Sequence, residues 1–542
     1  MKIMNRFVQL LMPLCVLLNF FLLSCAEKQQ KTDMPPNIIV LLTDDQAFRA
    51  IGYNRMDEIR TPNMDELAAE GVIFRNNYAT TSICMASRAN IMMGMYEYKT
   101  GCNFMHGPLQ KEKFSLSYPE LLQAEGYYTG FAGKFGFAVV EDVSTGEKDN
   151  DYSRLPVNEF DWWAGGKGQT SYETKKNKYL AKYADSYPHS TRAYGAACQD
   201  FIKESLATGK PFCLSLYTKA PHGPLTPDPA FDNVYEHTVF SLTSNYWRQA
   251  GKHLATQSKL GRHYLRSSAE YNEENYQENL RKYYQLIYGV DYALGMIRDE
   301  LERQGIADNT VIILTSDNGY CLGAHGFGGK VLPYEEASKT PLVIFDPRSK
   351  SIGKGYKTNA LTGNVDVAAT VLDLAGLTIP DNMDGISMLP NVENPETRIR
   401  QVLPVFQAWG TAPNLGMSVM TEEWKYIFWY FGDRIEPAGE LFNLYKDPME
   451  MENVINDPEN TAILRQMMDL YDKEIQKWKN EAVSTGNYKD FAVLFDPKVS
   501  WEDKKDLIPE SFWEVYAKEL SLLECEGDPA DYNAVIEKAE NN

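Results

Sequence analysis

The chain has 542 residues, of which 44% are hydrophobic and 24% are charged, so it is long enough for two domains or for one large α/β domain with an appendage. Its formal net charge of −20 argues against nucleic acid and anionic membrane surfaces as partners, because both attract basic proteins. An anionic substrate would therefore need a locally basic pocket.

The first 25 residues have the pattern of a lipoprotein signal peptide. Two basic residues precede a long apolar run, and Leu-Leu-Ser-Cys at 22–25 resembles the bacterial lipoprotein box, in which the cysteine becomes the lipidated N-terminus. A polar tether follows over 26–36. We expect an exported protein, anchored to the membrane by lipid on Cys25, in the bacterial periplasm or at the cell surface. The alternative is a plain signal peptide with an incidental cysteine.

Four short apolar runs are expected to form buried parallel strands. They cover residues 38–42, 128–132, 212–217 and 311–314. Continuous apolar runs indicate strands that are buried on both faces of a sheet, and the helical patterns between them indicate an α/β fold. Polar residues follow every run at once. Because ligands bind beyond the carboxyl ends of such strands, these polar clusters are expected to converge on one site.

Two acidic pairs follow the first and the last of these runs. Asp44-Asp45 and Asp317-Asn318 together offer three carboxylates and one amide oxygen. A site with oxygen ligands only selects a hard cation, Ca²⁺ before Mg²⁺, and disfavours zinc. The alternative is that each pair is an ordinary turn or helix cap.

Between the two pairs lies Ser82-Ile83-Cys84-Met85-Ala86-Ser87-Arg88. Cys84 is expected near the start of a helix, where free N–H groups and the helix dipole favour an anion. A cysteine followed at this spacing by a small residue, Ser and Arg resembles the formylglycine signature of type I sulfatases, with Ala86 where Pro is usual. Taken alone, such a cysteine could equally be a buried structural residue or an ordinary thiol.

Three later segments extend the resemblance to the sulfatase family. Lys134 closes a "GY.T...GK" segment, His222 lies in "PH.P", and Lys330 follows His325 in a glycine-rich loop. The resemblance implies that both lysines bind sulfate oxygens. It also implies that His222 donates a proton to the leaving oxygen or binds sulfate. For His325 it leaves open a structural or a substrate-binding role.

The resemblance also implies the chemistry of the centre. A maturation enzyme would oxidise Cys84 to formylglycine, whose hydrate attacks the sulfur of a sulfate ester. Arg88 would bind the formylglycine and the metal ligands, and Ca²⁺ would be held by Asp44, Asp45, Asp317 and Asn318. One departure concerns the histidine that most members carry just after "GK" and that is credited with releasing sulfate. Gly136 and Phe137 stand there, so we expect either His106 or His189 to substitute, or slow release.

The pattern changes after about residue 385. Antiparallel strands are expected at 417–420 and 425–430, followed by an "EL.NL..DP.E..N" segment of the kind found in the four-stranded C-terminal subdomain of sulfatases. We therefore expect an alkaline-phosphatase-like α/β fold with a smaller antiparallel subdomain. The predicted regions are a signal peptide, a tether, a catalytic domain, a C-terminal subdomain and an acidic extension, over 1–25, 26–36, 37–385, 386–482 and 483–542.

Together these features predict an exported hydrolase of sulfate esters. The expected substrate is a sulfated carbohydrate, such as a glycosaminoglycan, a mucin or an algal glycan. Two alternatives stay open, namely a phosphonate or phosphodiester hydrolase of the same superfamily and a non-catalytic glycan-binding lipoprotein. Specificity is expected in residues 228–281, unless that segment is only a surface insertion. The residues that could line a saccharide cleft there are Tyr246, Trp247, Arg248, Arg262, His263 and Arg266.

Overall fold

The computed structural model describes residues 35–54, 58–145 and 151–526. The predicted signal peptide, Cys25 and nearly all of the tether lie outside the described residues. Within the described part of the chain, no helix has both the length and the hydropathy of a membrane span.

The described strands, in chain order, are β1 (Asn37–Asp44), β2 (Val72–Tyr78), β3 (Leu109–Gln110), β4 (Tyr128–Lys134), β5 (Val139–Val140), β6 (Trp162–Gly166), β7 (Phe212–Pro221), β8 (Thr310–Ser316), β9 (Leu342–Phe345), β10 (Tyr356–Gly363), β11 (Leu403–Gln407), β12 (Gly416–Met420), β13 (Trp424–Trp429) and β14 (Ala438–Asn443).

The described α-helices are α1 (Pro62–Glu70), α2 (Cys84–Met93), α3 (Glu97–Thr100), α4 (Lys111–Phe114), α5 (Tyr118–Ala124), α6 (Ser190–Ala207), α7 (Thr256–Lys259), α8 (Arg262–Leu265), α9 (Tyr276–Arg303), α10 (Glu335–Ser338), α11 (Asp366–Leu374), α12 (Leu389–Glu393), α13 (Thr461–Glu481), α14 (Tyr488–Leu494), α15 (Trp501–Lys504) and α16 (Glu510–Glu526).

Eight strands form the central sheet in the order β10-β2-β9-β8-β1-β7-β4-β6. Strand β1 lies in the middle and pairs in parallel with β7 and β8, whereas β9 runs antiparallel to both of its neighbours. The first predicted strand is thus central, and its carboxyl end lies beside the carboxyl ends of β7 and β8. This is the edge at which ligands bind in such sheets.

Helices cover both faces of this sheet, and the side chains of β1 show why. Ile38, Val40 and Leu42 belong to one apolar core, whereas Ile39 and Leu41 belong to the core on the other face. Alternate residues of a strand point to opposite faces, so a strand with no polar alternation must be buried on both. The structure confirms the predicted α/β fold with a mainly parallel sheet.

A second sheet of four antiparallel strands, β11-β12-β13-β14, forms the predicted C-terminal subdomain. Its core is continuous with the first part of the chain, since Tyr98 lies 5.2 Å from both Phe406 and Trp478, measured between ring centroids. Residues 483–526 also pack into this core, through buried aromatic side chains such as Phe491 and Phe512. The acidic extension therefore contributes to a folded core as far as the chain is described.

Candidate active site

The acidic pairs meet at the carboxyl end of the central sheet. Strands β1 and β8 pair with Thr43 opposite Ser316, so Asp44 and Asp317 leave the two strands side by side. Asp45 has a φ of 68°, and its backbone N–H donates to Asp317 Oδ1 at 3.2 Å. Asn318 Nδ2 donates to Asp45 Oδ1 at 2.7 Å. All four predicted metal ligands therefore form one cluster.

This cluster fits a hard cation. One oxygen each of Asp44, Asp45 and Asp317 lie within 4.8 Å of one another, and all three residues are buried. Asp44 Oδ1 and Asn318 Oδ1 are also buried, and neither has a hydrogen-bond partner among the described residues. Buried oxygens without partners are unfavourable. A cation bound by oxygen ligands would satisfy both of them, and Ca²⁺ suits such a ligand set.

Three basic side chains surround the acidic cluster. Arg88 Nε donates to Asp317 Oδ2 at 2.8 Å, and its Nη1 donates to the carbonyl of Lys134 at 2.6 Å. Lys134 Nζ contacts Asp44, and Lys330 Nζ contacts Asp45. Arg88 and Lys134 are fully buried. Isolated buried charges are very costly, so each of these cations is stabilised by its carboxylate partner.

Cys84 is the first residue of α2 and lies against this cluster. Lys330 Nζ donates to Cys84 Sγ at 3.0 Å. One ligand atom each of Asp44, Cys84 and His222 also lie within 4.8 Å of one another. The residue before Cys84, Ile83, is extended, with a φ of −142°, and gives the helix no side-chain cap. The free N–H groups of the first turn are thus available to an anion at Cys84.

The charges of the cluster shift one another's protonation. Burial raises the pKa of Asp44, but Lys134, His222 and Arg88 outweigh it, and the pKa lies well below its usual range. Burial and the charge of Asp44 raise the pKa of Asp317 to about 8. Asp44 therefore holds the negative charge more strongly than Asp317. A bound cation would favour the ionised form of both carboxyls.

His222 presents a defined nitrogen to the same region. Its Nδ1 lies 2.7 Å from the carbonyl of Gly223, so Nδ1 carries a proton, and Nε2 lies 3.8 Å from Asp45 Oδ2. Burial lowers the pKa of His222, although Asp44 and Asp45 oppose this effect. A neutral His222 therefore offers a lone pair at Nε2, and only the protonated ring can donate from that atom.

Several of these side chains line a cavity of about 690 Å³, a size that suits a small-molecule ligand. Its inner part is lined by Asp45, Cys84, His222 and Lys330. We use the name floor for these four residues and the buried residues next to them, which are Asp44, Arg88, Lys134, Asp317 and Asn318. The outer walls include Phe104, Gln169, Arg262, His263, Glu270, Tyr320 and Trp409.

The segment expected to give specificity reaches this cavity in part. Arg262 and His263 line it, whereas Tyr246, Trp247 and Arg248 do not. Gly329 lets His263 lie against the loop of Lys330, because a Cβ at position 329 would come within 2.1 Å of His263 Nδ1. Trp409 was missed by sequence reasoning, since it belongs to no motif or periodic pattern, and Glu270 lies in the expected segment but was not among the residues named there.

Three other histidines lie away from the cavity. His325 is buried, with its Nε2 2.9 Å from the carbonyl of Met449 and its Nδ1 3.3 Å from that of Ala250. His106 contacts the carbonyl of Ala408 and packs among aromatic rings of the C-terminal core. His189 begins α6 and stacks on Tyr172. These contacts favour structural roles, and neither expected substitute for the missing histidine reaches Cys84.

Gly136 occupies the place of the missing histidine, and the structure shows why a side chain does not fit there. Its φ is 91°, and a Cβ would come within 2.6 Å of Arg88 Cδ. Phe137 instead packs on Phe135 in the core, with ring centroids 4.3 Å apart. Arg88 thus occupies the space that a side chain at position 136 would need.

Comparisons with known proteins identify the family of this chain. The Sulfatase family model matches residues 36–377, and the model for the C-terminal part of N-sulphoglucosamine sulphohydrolase matches residues 323–477. The N-acetylglucosamine-6-O-sulfatase of Bacteroides thetaiotaomicron is 28% identical over 539 residues, which cover 87% of this chain and 91% of that protein. The ulvan-active sulfatase of Formosa agariphila is 25% identical over 495 residues, covering 88% and 89%.

Solved structures share the fold. A protein solved in complex with its substrate D-glucosamine-2-N,6-O-disulfate superimposes with a TM-score of 0.66 at 24% identity, over 82% of this chain and 98% of its own. The phosphonate monoester hydrolase of Agrobacterium radiobacter gives a TM-score of 0.64 at 20% identity, over 83% and 97%. The chain therefore belongs to the sulfatase family of sulfuric ester hydrolases, within the alkaline-phosphatase-like superfamily, as its motifs predicted.

Proposed function

We propose that this sulfatase acts on sulfated carbohydrates through a formylglycine made from Cys84. The observation that carries the proposal is the position of Cys84, which begins a helix at the floor of the cavity and lies within reach of Lys330, Asp44 and His222. Formylglycine supplies a hydroxyl nucleophile that a thiol cannot provide. The surrounding side chains then have to bind a tetrahedral anion, orient it and move protons.

Ca²⁺ is the metal that the floor fits best. Asp44, Asp45, Asp317 and Asn318 would hold it, since they offer oxygen ligands and two of those oxygens have no other partner among the described residues. When bound, the ion would supply Lewis-acid polarisation of a sulfate oxygen. Lys330 and Lys134 bring further positive charge to the same place, and Arg88 fixes Asp317 and the backbone of Lys134 in position.

His222 is the side chain that we assign to proton transfer at the leaving oxygen. It lines the cavity, and its Nε2 is free to face a substrate because Nδ1 is bound to Gly223. When protonated, it can give its Nε2 proton to the departing alcohol. The neutral ring that remains can accept a proton when sulfate is released. His263 is another histidine on the cavity wall, and a variant at that position tests whether it shares this role.

The carbohydrate substrate is supported by relatives and by the walls of the cavity. Two of the relatives are named N-acetylglucosamine-6-O-sulfatase and ulvan-active sulfatase. Both aromatic and polar side chains line the walls, among them Phe104, Gln169, Tyr320 and Trp409, and such mixtures suit sugars, which have apolar faces and polar edges. We also propose that the protein is exported and lipid-anchored at Cys25, on the pattern of its first 25 residues.

The test joins peptide mass spectrometry with a substrate screen. The protein is expressed with a formylglycine-generating enzyme, and the peptide around Cys84 is examined for the aldehyde. Defined sulfated mono- and oligosaccharides are then compared with a phosphonate monoester and a phosphodiester. We expect the aldehyde and a higher kcat/KM on a sulfated carbohydrate than on either phosphorus ester. Preference for a phosphorus ester would contradict the proposal, and so would glycan binding without turnover.

A further inference from the structure

A second, smaller lobe opens beside the main cavity. It has a volume of about 240 Å³ and shares Arg262, His263, Val331 and Trp409 with the main cavity. Its far walls are formed by Arg266, by Gly410, Thr411 and Asn414, and by Val515, Lys518 and Glu519 of α16. We call this space the side lobe. Because the two spaces share these four residues, one extended ligand can occupy both.

Positive charge predominates on the walls of the side lobe. Arg262, Arg266 and Lys518 face one carboxylate, Glu519. Arg262 Nε is buried and has no hydrogen-bond partner among the described residues. Arg266 forms an ion pair with Glu519 at 3.8 Å between Nε and Oε2, a distance too long for a hydrogen bond. In a chain with a net charge of −20, such a concentration of cations indicates a site for an anion.

The side lobe is also held in a fixed shape. Val515, Lys518 and Glu519 share one face of α16, because residues three and four apart are neighbours on a helix. Phe512, earlier in the same helix, is buried in the C-terminal core. Glu519 is only 5% exposed, whereas the Lys518 side chain is exposed. The lysine is thus presented to solvent and ligand by an anchored helix.

The helix that closes the side lobe lies C-terminal to the residues that the family models match. The matches to the family models end at residue 477, and α16 begins at Glu510. Trp409 stands between the two cavities, with its ring 6.2 Å from that of His263. An indole at that place offers a flat apolar face to a sugar ring that passes from the main cavity into the side lobe.

We propose that the side lobe binds a negatively charged group on the sugar next to the sulfated one, either a uronate carboxylate or a second sulfate. The inference rests on the proposed function. Arg262, Arg266 and Lys518 would bind the anion, and Trp409 would stack on the sugar that carries it. The preferred substrates are then acidic oligosaccharides, and a sulfated monosaccharide fills only part of the site.

The test compares four substrates that carry the same scissile sulfate ester. One is the monosaccharide, and three are disaccharides whose neighbouring sugar is neutral, carries a carboxylate or carries a second sulfate. We expect a higher kcat/KM for the charged neighbours than for the neutral one, and a preference that declines with added salt. Lys518→Ala and Arg266→Ala should each reduce this preference about fivefold, the size of one partly exposed ion pair. Activity on the monosaccharide should stay unchanged.

Lys505→Ala is the matched control, since Lys505 is an exposed lysine of the same extension that pairs with Glu502 and does not line either cavity. Equal kcat/KM for neutral and charged neighbours would overturn the inference. Equal losses on the monosaccharide and on the charged disaccharides in Lys518→Ala would also overturn it. Absence of turnover on all four substrates, with the aldehyde present at Cys84, would instead contradict the proposed function.

Discussion

The floor of the main cavity and the side lobe use charge in opposite ways. On the floor, Arg88, Lys134 and Lys330 each contact a carboxylate, and Asp44 and Asp317 are fully buried. In the side lobe, cations outnumber carboxylates, and Lys518 is exposed. Buried charges that are all paired create a site of one fixed geometry, whereas cations in excess over carboxylates leave capacity for a ligand. The floor is therefore built for one chemical group, and the side lobe for recognition.

Loss of Cys84 is the largest effect that we expect, because Cys84 is the source of the proposed formylglycine nucleophile. Cys84→Ser should lower kcat by more than about a thousandfold with little change in thermal stability. Cys321→Ser makes the same chemical change in a buried thiol that does not line the cavity and should keep most of the activity. Turnover by Cys84→Ser at a level near that of Cys321→Ser would refute the role of Cys84.

Removal of the proposed metal ion should lower activity almost as much as the loss of Cys84. A chelator should abolish activity and lower Tm, because the buried oxygens Asp44 Oδ1 and Asn318 Oδ1, which have no hydrogen-bond partner among the described residues, then lose the cation that would satisfy them. Ca²⁺ should restore both properties better than Zn²⁺. Asp317→Asn should no longer respond to Ca²⁺, whereas Asp308→Asn, an exposed aspartate near the other end of β8, should behave as wild type. Full activity after exhaustive chelation would show that the acidic cluster is not a metal site.

A methyl group at Gly136 tests how tightly the floor is fixed. Gly136→Ala should cost about 1–2 kcal/mol through its positive φ and should also lower kcat, because the Cβ meets Arg88. Gly126 has a φ of 90° with nothing within 4 Å of its Cβ position, so Gly126→Ala should lower Tm with kcat intact. Equal kcat values in the two variants would mean that Arg88 can move without consequence.

The last effect is on stability alone, with no change expected in kcat, and concerns the attachment of the C-terminal extension that carries the side lobe. Glu97 Oε1 accepts hydrogen bonds from Tyr488 at 2.7 Å and from Asn103 at 2.8 Å. Burial raises the pKa of Glu97 from 4.5 to about 7. The folded state thus keeps a proton that the unfolded chain releases near pH 4.5, and stability is lost as pH rises from about 4.5 to 7.

Glu97→Gln removes this loss because glutamine cannot ionise. Relative to wild type, the variant should gain about 2 kcal/mol of unfolding free energy between pH 5 and pH 8. Tm measured across this range for both proteins gives the difference. Parallel Tm curves would show that Glu97 does not titrate between these limits.

The difference between the two regions also explains what the sequence could predict. The floor is encoded in short segments such as Asp44-Asp45 and Cys84–Arg88, each placed directly after a strand or at the start of a helix. The central position of β1 follows from an apolar run with no polar alternation. These signals are local, so the fold and the grouping of the candidate residues could be predicted before the structure.

The side lobe could not be predicted in this way. Its walls come from Arg262 and Arg266, from Trp409 and from Lys518, which are far apart in sequence, and only the packing of the C-terminal core brings them together. The roles of the histidines could not be predicted from the sequence either. His106, His189 and His325 contact backbone carbonyls of residues that are distant in sequence. The close approach of Gly136 to Arg88 likewise depends on how the segment after β4 packs against α2.

The burial of α2 limits the time at which Cys84 can be modified. All ten residues of this helix are buried, and Cys84 is only 2% exposed. An enzyme that must take the peptide around Cys84 into its own active site cannot reach it without dismantling the native packing. Under the proposed function, maturation therefore competes in time with folding. A chain that folds before maturation keeps Cys84 as a thiol and lacks the formylglycine nucleophile, although its fold is complete.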